Sequence, residues 1–253
     1  MTKSHLSIEL SNQSARFTVI DNESISNSLS VVLDEFKEQE KKDKLKSTFE
    51  NTAFLKSDFD EITLSWSSSR TTIVPNNIFA ESGPKELFNL CFSKGDSNRE
   101  IDYNRIAEYS VVNLYDIQTW IKSFFVIRYP RIIIQSEGSH LIREIIINSY
   151  KLKVFLSIHE DYFLLAIAQK NELEFYSSFD FQSYEDILYH LVFVLQQKEM
   201  VNVKGELKLI NGVGSNSDLL NEIEINLSKI ADLNDLSVSV SNDQVAKSQM
   251  LCV

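Results

Sequence analysis

Two stretches of this chain follow one scheme. HLSIELSNQSARFTVIDNESISNSLSVVL (residues 5–33) and KVFLSIHEDYFLLAIAQKNELEFYSSF (153–179) each read as strand, short polar turn, strand, short polar turn, strand. In the first, LSIEL alternates apolar with polar, and SNQS and DNES supply turn residues. In the second, KVFLSI and YFLLAIA are nearly continuous apolar runs, as expected of strands covered on both faces. The two starts lie 148 residues apart. An internal duplication of this size implies two similar lobes facing a cleft.

Helices and further strands follow each triplet. Residues 34 to about 51 are charged and rich in helix formers, with Glu38 and Lys42 spaced as an i,i+4 pair, and predict an exposed helix. DEITLSWSSSRTTIVP (60–75) reads as strand, serine turn, strand, stopped by Pro75. Pro84 opens a helix over 84–92. Two strands are expected over 100–114, a helix over 115–130 and a short strand at RIIIQ (131–135). An amphipathic helix follows over 139–150. After the second triplet, 183–200 is a strongly apolar helix with Ser183 as N-cap and Ile187, Leu188, Leu191, Val192 and Leu195 toward a core. GELKLING (205–212) is a strand, 214–230 a helix and LSVSVSN (236–242) a last strand. The class is α/β, with mixed sheets flanked by helices, in lobes spanning 1–113 and 114–253.

Composition removes several functions. The chain has 253 residues, a net charge of −11 and six glycines. Scarce glycine weighs against phosphate chemistry, which needs close backbone approach. The densest basic run, KEQEKKDKLK (37–46), is interleaved with acids, so no nucleic-acid surface is expected. Cys91 and Cys252 are far apart and no Cys/His cluster exists, so no metal site is expected. The first ten residues lack the apolar core of a signal peptide, no run of about eighteen apolar residues exists, and MLCV is not a prenylation box. A cytoplasmic protein without membrane insertion is expected.

The duplicated openings, with a late strand–Gly turn–helix, resemble the actin/hexokinase/Hsp70 superfamily of duplicated, ribonuclease H-like lobes, and in particular the actin-like protein of type IV pilus assembly. The succession LSIELSNQSARFTVID, TTIVPNNIF, SFDFQSYEDILYHLVFVLQQ and ELKLINGVGSNSDLLNEI is similar to a bacterial family, domain of unknown function 3822, over nearly the whole chain. That family implies a fold and no activity.

The superfamily's phosphate elements, carried onto this chain, are altered. Its first hairpin resembles Gly-Ile-Asp-Leu-Gly; here SIELS puts Glu9 at the acid and Ser11, beside Asn12, at the turn glycine. Glu is one methylene too long to hold magnesium as Asp does, and Ser11 places a Cβ where phosphate must approach. The second hairpin resembles Asp-Ile-Gly; here Ser157 replaces the acid and His159 the glycine, with Asp161 just beyond. A hydroxyl supplies no charge for metal or water, and an imidazole occupies phosphate space. The adenosine loop resembles Gly-Gly-Gly-Ser; Asn211, Gly212, Gly214 and Ser215 stand here. Gly212 and Gly214 also suit an ordinary strand-to-helix turn that needs positive φ or close packing.

Other polar groups carry less. HED (159–161) reads as a hairpin turn, since adjacent residues do not converge on one point. Asp186 and His190 sit i,i+4 on an apolar helix without a third partner. His5 and His140 have no visible partners, and Cys91 reads as core. GDSNRE (95–100) has no catalytic spacing, and Trp66 and Trp120 fit either core or cleft. The expectation is a pseudo-ATPase: a non-catalytic interaction or scaffold protein, monomer or homodimer, with no catalytic residues and no cofactor, whose partner is an unidentified protein. The alternative is a divergent ATP-binding protein or small-molecule kinase taking ATP and Mg through Glu9, Ser11, Asn12, Ser157, His159, Asp161, Gly212, Gly214 and Ser215.

Overall fold

A computed structural model of the chain describes residues 4–33, 37–81, 83–93, 97–230, 233 and 235–252. Both triplets form as antiparallel meanders. Strands β1 (Ser4–Leu10), β2 (Ser14–Asp21) and β3 (Ser24–Val32) open the first, and β9 (Leu152–Ile158), β10 (Tyr162–Gln169) and β11 (Glu172–Asp180) the second. Each meander gains two parallel strands. β4 (Glu61–Trp66) and β8 (Ile133–Ser136) complete the sheet β3-β2-β1-β4-β8; β12 (Gly205–Asn211) and β13 (Leu236–Ser241) complete β11-β10-β9-β12-β13. The strand orders are equivalent, which makes the two lobes duplicates.

The duplication reaches the backbone detail. The second turns are two-residue connections with positive φ at Asn22 and Glu23 in one copy and at Lys170 and Asn171 in the other. That conformation matches the twist of the flanking strands. Register slips between Val19 and Ile20, and again between Ile167 and Ala168, leaving an irregularity at the same place in each meander.

A third sheet, β5-β7-β6, is made of β5 (Thr71–Pro75), β6 (Arg99–Ile106) and β7 (Val111–Gln118). It bears on two expectations. Both strands expected over 60–75 form, but in different sheets: β4 pairs with β1 and β8, whereas β5 crosses to β7. The helix expected over 115–130 starts later, as α3 (Thr119–Arg128), because residues 115–118 finish β7, with Tyr115 and Ile117 in the first core. The junction expected between 113 and 114 falls inside β7. The chain passes from the first sheet to the second at α4 (Glu137–Ile146), just after β8.

Helix α4 explains the apolar runs of the second meander. Val154, Leu156, Phe163, Leu165 and Ile167 face a core closed by α5 (Tyr184–Gln197) and α6 (Ser217–Leu227) through Ile187, Leu191 and Ile223. The alternate residues Phe155, Leu164, Ala166 and Ala168 face Leu141, Ile142, Ile145 and Ile146 of α4. Both faces of the sheet are covered, so no polar alternation survives. The first lobe buries Phe17, Phe49, Trp66 and Phe125, with α1 (Glu38–Asn51) laid on the sheet through Leu45 and Phe49. Residues 34–36, where that helix was expected to begin, lie outside the described residues.

Both tryptophans are buried in the first core, and Trp66 Nε1 donates to the carbonyl of Asp116 at 2.7 Å. Cys91, expected in a core, is exposed at the end of α2 (Pro84–Cys91), where only Phe88 is buried. Residues 95 and 96 of GDSNRE and the side chain of Cys252 lie outside the described residues. The last helix, α7 (Gln244–Gln249), packs on α4 and also on β1 and β4, so it bridges the lobes. There Thr63 Oγ1 donates to Gln249 Oε1 at 2.5 Å, and His5 Nε2, which looked partnerless in the sequence, meets the same hydroxyl at 2.8 Å.

Candidate functional site

The first turns of the two meanders and the strand-to-helix turn after β12 converge between the lobes. In the β1–β2 turn the Ser11 amide donates to the Ser14 carbonyl at 2.9 Å. Ser11 Oγ accepts from the amides of Gln13, at 3.2 Å, and Ser14, at 3.0 Å. A serine hydroxyl thus takes the backbone donors that an anion at this turn would need. Asn12 is turned to its own lobe, with Oδ1 accepting from Gln118 Nε2 at 2.8 Å and its carbonyl from Lys41 Nζ at 2.5 Å.

Glu9 and Arg16 face each other across β1 and β2. Arg16 reaches Glu9 Oε2 at 3.3 Å, then crosses the cleft. Its guanidinium donates to the carbonyls of Asn211 at 3.0 Å, Asn242 at 3.0 Å and Gly212 at 3.1 Å. One arginine therefore straps the first lobe to the end of β12 in the second. Glu9 is 1% exposed and its Oε1 has no hydrogen-bond partner among the described residues. Burial pushes its carboxyl up to about 7; Arg16 opposes that shift, and the negative charge of Glu137 adds to it.

The β9–β10 turn repeats the first, with the His159 amide donating to the Tyr162 carbonyl at 2.9 Å. Its side chains do something different. Ser157 Oγ donates to Glu137 Oε1 at 2.5 Å, Ser67 Oγ donates to Glu137 Oε2, and His159 Nε2 lies 3.1 Å from Oε2. His159 Nδ1 is 3.3 Å from the Val213 carbonyl, and the ring stacks on Tyr162 with centroids 4.4 Å apart. Both ring nitrogens thus face acceptors, which suits imidazolium. Burial opposes that charge, but Glu137 outweighs it and raises the His159 pKa above its ordinary value. Glu137 is likewise penalised by burial, yet the His159 charge and the hydroxyl donors hold it well below the usual carboxylate range.

The third turn is packed onto these groups. A Cβ on Gly212 would lie 2.5 Å from the Ile158 carbonyl oxygen and 2.6 Å from His159 Cε1, so only glycine fits. Gly214 has φ +85°, in the left-handed region. Ser215 Oγ donates to Asn211 Oδ1. Asp161 is exposed beyond the hairpin, as is Glu160, whereas His159 points inward, so HED does not converge. Among the described residues no three metal-ligating side chains group as a metal site.

Of the residues singled out from sequence, Glu9, Ser11, Ser157, His159 and Gly212 come together, while Asn12 and Asp161 turn away. Asp186 and His190 are not a pair. Asp186 accepts from the amides of Gln182, at 2.9 Å, and Ser183, at 3.2 Å, at the start of α5, whereas His190 stacks on Phe179 at 4.5 Å. His140 is fully buried, which lowers its pKa to about 3 and keeps it neutral. Sequence reading missed Arg16, Ser67, Glu137 and Tyr162. Arg16 had a signal: counting outward from the SNQS turn sets it opposite Glu9. Glu137 had none, since it joins the cluster from a strand–helix junction distant in sequence.

The comparisons agree with this architecture. A family model described as "Protein of unknown function (DUF3822)" matches residues 1–230. A solved structure from Bacteroides thetaiotaomicron VPI-5482, described as a protein with actin-like ATPase fold and unknown function, is 23% identical with a TM-score of 0.81, covering 99% of this chain and 96% of that one. The PilM–PilN type IV pilus biogenesis complex is 9% identical with a TM-score of 0.50, covering 93% and 90%. These likenesses are of fold, and they make this an actin-like ATPase fold. No curated protein matches the chain.

Proposed function

This chain belongs to the DUF3822 family of proteins of unknown function, and from that premise we propose that it is a pseudo-ATPase: an actin-like fold that has exchanged nucleotide chemistry for the binding of a protein partner in the cytoplasm. One observation carries the reading: the protein's own side chains engage the groups at the phosphate end of the cleft. Ser11 Oγ accepts from the first turn's amides, Arg16 spans from Glu9 to the carbonyls of the third turn, and His159 lies against Gly212. The residues present do not fit a magnesium triphosphate. Three of the four carboxylate oxygens of Glu9 and Glu137 are held by Arg16, Ser67, Ser157 and His159, and Ser157 and His159 stand where the resemblance implies an acid and a glycine. A partner-binding role on this fold has a counterpart in the PilM–PilN complex.

Thermal unfolding with and without millimolar Mg–ATP or Mg–ADP tests the reading. A ligand at about 100 times its dissociation constant stabilises by about 2.7 kcal/mol, or roughly 5–10 °C for a chain of this size at about 2–4 °C per kcal/mol. No shift is expected. A rise of that size would replace the pseudo-ATPase reading with a divergent ATP-binding protein or small-molecule kinase.

A further inference from the structure

Two adjoining grooves, one on the second lobe and one between that lobe and the first, meet at Glu185. One, of about 350 Å³, runs along α5 and is floored by Leu188, Tyr189, Val192, Phe193 and Ile230. Tyr189 and Phe193 are 63% and 45% exposed and stack on each other at 5.9 Å between centroids. The other, of about 750 Å³, runs past the N-termini of α5 and α6 to the mouth of the cleft, where Ser14 and Val32 of the first lobe and Gly214 of the third turn border it, and Glu160, Glu185, Asp218 and Glu222 line it on the second-lobe side. Among the described residues no lysine, arginine or histidine lines either groove.

These features select one kind of occupant. Two stacked aromatic rings in a trough of branched aliphatics are poor solvent-facing groups and good anchors for apolar side chains. Carboxylates at one end of the trough favour a cation there and repel nucleic acid or an anionic membrane. A second copy pairing face to face would set these carboxylates against themselves, because a two-fold contact repeats the same patch on both sides. The apolar groove is walled by side chains of α5 and by Ile230 just past α6, and none of its lining residues lies in a strand, which favours a helix in a groove. The span from Glu185 to Gln196 is about 16 Å at about 1.5 Å per residue, or about three helical turns.

We infer that the α5 groove is the docking site for a basic amphipathic helix of another protein. Its apolar stripe would seat on Leu188, Tyr189, Val192, Phe193 and Ile230, and its lysines or arginines would reach Glu185, Asp218 and Glu222. The inference rests on the partner-binding reading and gives that partner a chemistry.

The test uses two labelled model helices of about 15 residues with the same leucine stripe, one carrying lysines and its twin glutamates, titrated against the whole protein by fluorescence anisotropy at about 0.15 M salt. The basic helix is expected to saturate and its acidic twin not to bind. The Tyr189→Ser/Phe193→Ser variant is expected to weaken the basic helix at least tenfold, and Glu185→Lys/Glu222→Lys to transfer the preference to the acidic twin. All four positions are exposed, so an unchanged thermal midpoint verifies that the variants fold. Absence of saturable binding, binding untouched by the aromatic variant, or a preference untouched by charge reversal each overturns the inference. So does a concentration-dependent dimer by light scattering that the aromatic variant abolishes, which would give the groove to a second copy. A nucleotide-induced rise in midpoint would sink the pseudo-ATPase reading and leave the helix titration to be judged on its own result.

Discussion

Replacing Glu9 with Gln deletes half of an ion pair, yet it is expected to stabilise the protein at alkaline pH. The Glu9 carboxyl is displaced from 4.5 to about 7, with burial as the main cause, and Arg16 at 3.3 Å does not restore it. Because the folded pKa is raised, the unfolded chain releases this proton while the folded protein still holds it. Stability therefore falls as pH rises from about 4.5 to about 7, and the full cost stands above that window. At about 1.36 kcal/mol per pH unit the cost is about 3 kcal/mol. Gln keeps an oxygen for Arg16 but puts an amide nitrogen where Oε1 has no partner, which costs about 1 kcal/mol. The net expectation is a gain of about 2 kcal/mol at pH 8.5, seen as a rise of about 4–8 °C in midpoint, and a loss of about 1 kcal/mol near pH 4.5. Urea unfolding of both proteins across that range reads the crossover. A Glu9→Gln variant less stable than the parent at pH 8.5, or a difference that does not change with pH, would refute the reasoning.

Three further outcomes follow from the same cluster. His159→Gln leaves Glu137 buried without its counter-charge and should cost about 3–5 kcal/mol by denaturant unfolding. The loss should be largest between about pH 4.5 and 6.5, since Glu137 is lowered from 4.5 and His159 raised from 6.5; adding Glu137→Gln should recover part of it, and strict additivity would count against the pair. Arg16→Met leaves the carbonyls of Asn211, Gly212 and Asn242 without their donor and should destabilise by about 1–3 kcal/mol, with a larger loss at pH 8.5 than at pH 6 because only at alkaline pH must Glu9 ionise without its counter-charge; a loss that does not grow with pH would reject the Arg16–Glu9 contact. Gly212→Ala must move the Ile158 carbonyl or the His159 ring and should cost about 1–3 kcal/mol in thermal unfolding, whereas a neutral result would mean the third turn is not packed as described.

The meanders were legible in the sequence because their signals are local: turn residues between short apolar runs, written twice at one spacing. The strand at β5 was legible but its partner was not, because nothing near residue 71 records that its ladder lies about forty residues ahead, at Tyr115. The helical spacing of YDIQ was overridden when Tyr115 and Ile117 entered the first core as strand residues. In the site, Glu9, Ser11, Ser157 and His159 could be located because the resemblance to the actin-like superfamily places its phosphate motifs on the first turn of each meander. Glu137 could not, since a lone glutamate before a helix looks like an ordinary first-turn acid until the fold sets Ser67, Ser157 and His159 around it. Cys91 failed for a different reason: its neighbours are apolar, but only one face of a short helix is buried.

The arginine strap has an evolutionary corollary. All three of its acceptors across the cleft are main-chain carbonyls, at Asn211, Gly212 and Asn242. Substitutions at 211 and 242 can change the side chain and leave the bond intact, so no compensating change at Arg16 is required. A contact that holds two lobes together would thus leave little trace as correlated substitution with Arg16, and its sequence signature would be an arginine retained opposite a glycine fixed by packing and two positions, 211 and 242, whose side chains answer to each other.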